Sequence, residues 1–586
     1  MFTLPSLAQV RKIPPSAAVA ALIWAVVVVL LFHRLPFGTS QGDESYYNSM
    51  PYAFAIGSRP YIDELGVFQN PGVMLTPFYR LYIAISGSGD GLILFNRYLY
   101  FVYSLACSVL AFRFATRFTK LSTALGIGAL VNSFAYFNLF AISYNTTGAF
   151  GFFCGILCTG MAFTKQRPGR MLFVASLMFL SAMFGYPGLT PVVGAYFLIV
   201  LGWLLRKTTP EARASGFKGL AAAAGAALLG GGLVARAIGS REQFARLIGF
   251  TRAMGYGTQG VLARLNVFHL IFERWHWLIV GYMALFVALP LACLALLRTT
   301  RFVALALALA LAAALAYLYR GGLGVFTADA ASICQTALPL LAATCVLLNR
   351  RWKHASFMMW LIWAPSVMSM MVLSYTSGNS FYAACLGVLG AAVAGILSFE
   401  AYLESLIERD ASYRAGYRLV FVSLLASLIV MQARSMYTGA YAEEVDLAKC
   451  DTRVHSGPSR GLKTSAALAK LLETVDRDLK DVAARWPQAK TLTVFDDFPA
   501  GYMSTRLTPR TFATWIIWGF FPTTYGREIA KENFGSPEQL PDILLSIHPN
   551  SAGRQYYQPF IRGHYKPLVR RTEFDYVILK KIDHRS

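Results

Sequence analysis

Residues 14–47 read PPSAAVAALIWAVVVVLLFHRLPFGTSQGDESYY. Ala17 to Phe32 contains no charged side chain. A hydrocarbon core about 30 Å thick takes roughly 20 such residues as a helix. Lipid offers the backbone no hydrogen-bond partners, so the run must satisfy its own amides, which a helix does. Two adjacent carboxylates, Asp43 and Glu44, follow close behind it. What they do depends on which side of the membrane this span ends. Arg11 and Lys12 precede the run as in a signal sequence, but HRLPFGTSQGDE lacks small-residue cleavage chemistry, so a retained first span is expected.

Similar apolar runs recur along the chain. Of its 586 residues, 56% are hydrophobic and 14% charged, and the mean hydropathy is +0.49. Soluble domains carry about 25% charged residues. The sequence therefore predicts a polytopic α-helical membrane protein. Thirteen spans are expected, near 16–33, 92–112, 121–142, 148–163, 171–185, 189–205, 219–237, 277–297, 302–319, 331–348, 355–375, 380–398 and 418–434. Seven of the eight cysteines fall inside these runs, so no disulfide framework is implied.

The loops between the runs differ in charge. RFATRFTK (113–120), KQRPGR (165–170), RKTTPEARASGFK (206–218), RTTR (298–301) and RRWK (350–353) each hold two to four basic residues. The alternate loops SYNTT (143–147), GYPGLT (185–190) and TSGN (376–379) hold none. The positive-inside rule then puts the N terminus and the basic loops in the cytoplasm of a plasma (inner) membrane protein. The neutral loops would lie outside, with the long segments 34–91 and 238–276 and the tail from 435 to 586. The net charge of +23 is scattered through short loops, which suits contact with membrane lipids and argues against nucleic acid.

The tail is a different material. Residues 464–486 show helical periodicity behind a Thr-Ser cap, and TLTVFDDF (491–498), PDILLSI (541–547) and FDYVILKK (574–581) read as strands. A C-terminal extracytoplasmic α/β domain, 435–586, is expected behind a membrane domain, 1–434. WIIWGFF (515–521) is too short to span and is read as a buried strand or a lipid-touching surface. Residues 238–276, with five arginines among apolar positions, read as one or two interfacial amphipathic helices.

Segment 34–91 is too long for a simple connector. Residues 44–56 are expected to form a helix in the interface plane, with Tyr46, Tyr47, Tyr52 and Phe54 at headgroup level. An acidic pair just after the first span, then GSRPYID (57–63), a Pro-containing stretch and a Tyr-rich return into the second span resemble the GT-C glycosyltransferases, such as the protein O-mannosyltransferases and the lipid A aminoarabinose transferases. FQNPGVMLTPFYR (68–80) stands where some members carry a Lys- and Pro-rich stretch. The resemblance covers about residues 16–400 and is strongest over 42–97. It implies a sugar donor linked to polyprenyl phosphate, an acceptor glycan, lipid or protein outside the cytoplasm, and no added cofactor or metal.

Such a transfer needs a base for the acceptor hydroxyl, cations for the departing phosphate, and a site at the membrane surface. By the resemblance Asp43 is the base, and Glu44 orients the acceptor or the loop. Both also suit the N-terminal turn of a helix, where carboxylates are favoured. Candidate phosphate ligands are Arg59, Arg80, Arg97, Arg274 and Arg320, although snorkelling to headgroups explains any single one as well. Tyr46, Tyr144, Asn145 and Asn379 are candidate substrate contacts, with helix capping as the plainer reading of the amides and hydroxyls. Asp63 and Glu64 read as a turn or a contact to an arginine.

No P-loop, HExxH or cysteine cluster is present in the sequence. The main alternative is a transporter or flippase of lipid-linked glycans, which would place paired ionisable residues mid-helix. A ligase of lipid-linked saccharides and an assembly protein are further readings.

Overall fold

The computed structural model describes residues 14–66, 68–164, 168–253, 338–339, 341–377, 380–409, 414–437, 447–496, 498–515, 524–548, 558–559 and 561–582. Its helices are α1 Pro15–Arg34, α2 Asp43–Ala55, α3 Asn70–Ser86, α4 Leu92–Ala115, α5 Leu121–Ser133, α6 Tyr144–Ala162, α7 Gly169–Gly185, α8 Thr190–Lys207, α9 Pro210–Ile238 and α10 Arg241–Ala253. There follow α11 Ala355–Thr376, which contains a π turn at Met358–Trp363, then α12 Val388–Arg409 and α13 Arg414–Ser435.

Among the described residues six helices are long and apolar enough to cross a membrane: Pro15–Arg34, Leu92–Ala115, Pro187–Lys207, Pro210–Ile238, Ala355–Thr376 and Ala383–Arg409. They coincide with six of the thirteen expected spans. The run at 121–142 is α-helical only to Ser133: Phe134 turns extended, Tyr136–Asn138 make a single 3-10 turn, and Ile142 exchanges backbone hydrogen bonds with the Asn96 side chain. The run at 171–185 forms a shorter apolar helix, α7. α6 is buried from Asn145 to Ala162, which makes it the centre of the bundle. Spans expected at 277–297 and 302–319 lie outside the described residues, as does most of 331–340.

Contacts sort the connecting segments into two ends. At one end Arg117 donates to Met161 O (2.9 Å), Gly169 N donates to Ser215 Oγ (3.2 Å), Phe118 meets His354 edge-on (5.0 Å), and Lys120 pairs with Glu404. This gathers four of the five basic loops. At the other end Tyr144 lies 5.7 Å from Tyr186, and the Tyr186 hydroxyl is 3.5 Å from Thr376 Oγ1, which gathers the neutral loops. Segment 34–91 and the tail meet there too. Phe37 bridges Lys463, Tyr52 Oη donates to Thr505 O (2.6 Å), and Leu65 N donates to Phe512 O (2.7 Å).

Among the described residues the tail forms two sheets and two α-helices. β1 (Thr452–Arg453) pairs with β2 (Lys463–Thr464), and α14 (Ala466–Arg485) is capped by Ser465, whose side chain accepts from Leu468 N. β3 (Thr491–Phe495), β4 (Thr508–Pro509), β5 (Ile543–Ile547), β6 (Tyr565–Arg571) and β7 (Tyr576–Lys581) make a mixed sheet ordered β4-β3-β5-β7-β6. β4 and β5 run parallel to β3, while β7 is antiparallel to both β5 and β6. The last helix, α15, is Thr524–Phe534. One helix and three strands thus fall where hydropathy placed them. The described part of the basic segment, α10, lies against this domain: Arg246 pairs with Glu532, and Phe250 is buried against Phe512. Of WIIWGFF only Trp515 is described.

α7 and α9 cross at glycines. A Cβ on Gly169 would come within 2.3 Å of Ser215 O, and one on Gly219 within 2.2 Å of Gly169 O. Backbone stands in the way at both positions, so no rotamer change relieves the clash. Gly219→Val is expected to force the helices apart at a cost of about 1–3 kcal/mol, read as a lower thermal midpoint of the protein in detergent.

Candidate active site at the neutral end of the helices

Asp43 and Glu44 occupy the first turn of α2. Successive residues of an α-helix point about 100° apart, and the two carboxylates take different environments. Glu44 is 1% exposed and receives Arg97 in a fork: Nε to Oε1 and Nη2 to Oε2, both 2.6 Å. Arg97 Nη1 also donates to Leu35 O and Phe37 O, and Nη2 to Gly38 O. All five guanidinium N–H groups are thereby engaged. Arg97 therefore has no hydrogen left for a phosphate, and Glu44 is held by the protein rather than by an acceptor. Arg97 is thus no free phosphate ligand, and of the two roles expected of Glu44 it takes that of ordering the loop: the pair is a structural knot. Arg34 strengthens it, with its guanidinium 4.8 Å from the Phe140 ring centre and hydrogen bonds to Met436 O and Phe37 O.

Asp43 is half-buried, and the Tyr47 hydroxyl donates to its Oδ1 (3.2 Å). Around it lies an aromatic cluster. Tyr46 is 5.3 Å from Trp515, Tyr47 is 5.6 Å from Tyr144, and Phe68 stacks on Tyr144 at 3.7 Å. Gly42, just before Asp43, lies close under the Trp515 ring: a Cβ there would sit 3.3 Å from it, near enough that the ring would have to give by a few tenths of an ångström. Tyr46, Tyr47, Tyr52 and Phe54 are all at least 95% buried, not spread at headgroup level as expected. Two surfaces replace lipid: Leu139, Ala141, Val73 and Tyr144 of the membrane domain pack with Tyr47 and Phe54, while Trp515 and Thr505 of the tail meet Tyr46 and Tyr52.

The other candidates separate. Arg59 forms an exposed ion pair with Asp63 (2.8 Å), and Arg80, also exposed, reaches only Phe54 O (3.5 Å). Phe54 is near the far end of α2, about 16 Å from Asp43 at 1.5 Å per residue. Neither arginine is therefore brought to Asp43. Asn145 is buried in the first turn of α6. Ser143 and Thr146 cap that helix reciprocally, as the plainer reading held. Arg274, Arg320 and Asn379 lie outside the described residues.

No protein-family model matches this chain, and no curated protein matches it. The chemistry of the site therefore rests on its own residues.

Glu64 was expected at a turn or an arginine and is instead a buried latch. Its Oε2 accepts from Thr514 N (2.7 Å) and Thr514 Oγ1 (3.0 Å), and its Oε1 from Gly66 N (2.8 Å). Burial pushes its carboxyl up to about 7, although these donors pull the other way. Trp515, the next residue, stands against Tyr46, so the latch holds the cluster beside Asp43. Neither Glu64 nor Trp515 has a local signal as a neighbour of α2, because each contact joins residues more than 400 apart in sequence.

Arg97→Ala is expected to cost about 3–5 kcal/mol, measured by thermal unfolding, because it strands a buried carboxylate. Arg97→Lys should recover little, since an ammonium cannot serve five acceptors in one plane. Glu64 gives a second outcome. Its carboxyl in the folded protein lies above the ordinary 4.5, so the latch is strongest below that value and weakens as pH rises through about 7. Protease sensitivity of the tail should increase from pH 6 to pH 8, and Glu64→Gln should remove that dependence.

Proposed function

We propose that the protein is a membrane-bound glycosyltransferase. It moves a sugar from a polyprenyl-phosphate donor to an acceptor hydroxyl at the extracytoplasmic face, with Asp43 as general base. The observation that carries this reading is the division of labour in the acidic pair. Glu44 neutralises Arg97, while Asp43 keeps a half-buried carboxylate, oriented by the Tyr47 hydroxyl, inside an aromatic cluster. Aromatic faces beside a carboxylate suit a sugar: the rings cover its apolar C–H surface while the base takes a proton from its hydroxyl.

The orientation follows from the loop charges. With the basic end in the cytoplasm, the neutral end, α2 and the tail are extracytoplasmic. A lipid-linked donor then reaches the site with its chain still in the bilayer. Arg274 and Arg320 are the remaining arginines among the sequence candidates for meeting the departing phosphate, since Arg97 is consumed and Arg59 and Arg80 stand apart. Tyr144 and Tyr46 belong to the sugar-facing wall in this reading.

Purified full-length protein, supplied with radiolabelled polyprenyl-phosphate sugars and an envelope extract as acceptor, tests it. Asp43→Asn should reduce transfer about 10²–10⁴-fold with donor binding retained. Normal turnover by this variant would remove Asp43 as the base, and no transfer by the wild-type chain with any donor would remove the activity.

A further inference from the structure

At the basic end, opposite Asp43, a cleft of about 490 Å³ opens between α1, α5, α12 and α13. That volume is typical of small-molecule sites, which run ~300–1,000 Å³. Its deep walls are apolar, with Phe421, Leu425 and Ile429 among them. Val19 and Val422 on its rim stay 57% and 60% exposed, so the cleft opens sideways to the surface that faces lipid rather than closing as a core void. Gly126 forms part of the wall against Leu425, where a Cβ would come within 2.5 Å of the leucine side chain.

The polar residues gather at one end of this cleft and include both signs. Glu400 is a carboxylate held in place by the hydroxyls of Thr119 and Thr123. It has no ion-pair partner among the described residues, because Lys120 takes Glu404 instead. Arg418 lines the same end and makes no ion pair among the described residues either. An apolar trough that ends in one fixed carboxylate and one uncommitted guanidinium matches a molecule with hydrocarbon chains, a cationic amine and a phosphate.

We propose that this cleft binds a zwitterionic aminophospholipid. The primary ammonium is received by Glu400, the phosphodiester by Arg418, and an acyl chain by the apolar trough. The mouth holds two carboxylates, Glu400 and Glu404, and two cations, Lys120 and Arg418, so its charges balance and suit a zwitterionic headgroup better than a purely anionic one. A quaternary ammonium carries no N–H to donate to Glu400, so a choline headgroup fits less well. The site does not depend on the transferase reading, because it is built from other helices at the other end of the bundle.

Native mass spectrometry of the full-length protein in detergent tests this with phosphatidylethanolamine, phosphatidylcholine and phosphatidylglycerol of identical acyl chains. The wild-type chain is expected to retain one phosphatidylethanolamine at about tenfold lower concentration than either other lipid. Glu400→Gln should bring that lipid to the phosphatidylcholine level. Ala426→Trp, which fills the trough, should abolish retention of all three. Equal retention of the three lipids, preference for phosphatidylglycerol, or no retention at all by the wild type would overturn the proposal, and so would a Glu400→Gln protein that still discriminates. The wild-type lipid comparison stands even if a variant does not fold.

Discussion

A buried guanidinium can be tolerated only when every hydrogen it carries is matched, and Arg97 is the place where this chain meets that demand. One side chain on α4 gathers three carbonyls from the end of α1 and the carboxylate at the start of α2. The exit of the first span, the direction of α2 and the depth of α4 are thus fixed relative to one another. Arg34 repeats the device one turn away, tying Phe37 O to Met436 O beyond α13. Without these ties the neutral end would be a set of loops. With them it is a platform on which Asp43 has a defined position.

The same constraint explains why two adjacent carboxylates differ. A helix turns each successive residue to a new face, so once Glu44 is directed at Arg97, Asp43 is turned toward the aromatic side. The tail completes that side. Thr514 reaches Glu64, Trp515 reaches Tyr46, and Lys480 pairs with Asp90 at 2.8 Å. The Glu44 charge is therefore neutralised where it is buried, and that of Asp43 is left half-exposed where Tyr47 steadies it.

Much of this was legible in the sequence. Apolar run length marked six helices suited to a membrane, loop charge anticipated which loops share an end, and alternation marked the tail's helix and three of its strands. What escaped reading was pairing over distance. Nothing near Glu44 announces an arginine 53 residues later, and Arg97 looks from its surroundings like any cation at a helix end. The aromatic residues of α2 carry the composition of an interfacial helix, and only distant partners, Tyr144 about a hundred residues on and the tail hundreds of residues away, decide that they are buried. The run 121–142 misled for a related reason: its hydropathy is continuous, but the helix stops at Ser133 and the far end of the run, Ile142, takes its backbone partner from Asn96, 46 residues earlier.

The clasp between segment 34–91 and the tail also has a temporal meaning. A ribosome delivers α2 early and Thr514 late, and domains form as their residues emerge. Through most of synthesis Glu64, Tyr46 and Tyr52 lack the surfaces that bury them. The cover over the Asp43 side of α2 is consequently among the last parts of the molecule to form, assembled only once the tail has been made and folded.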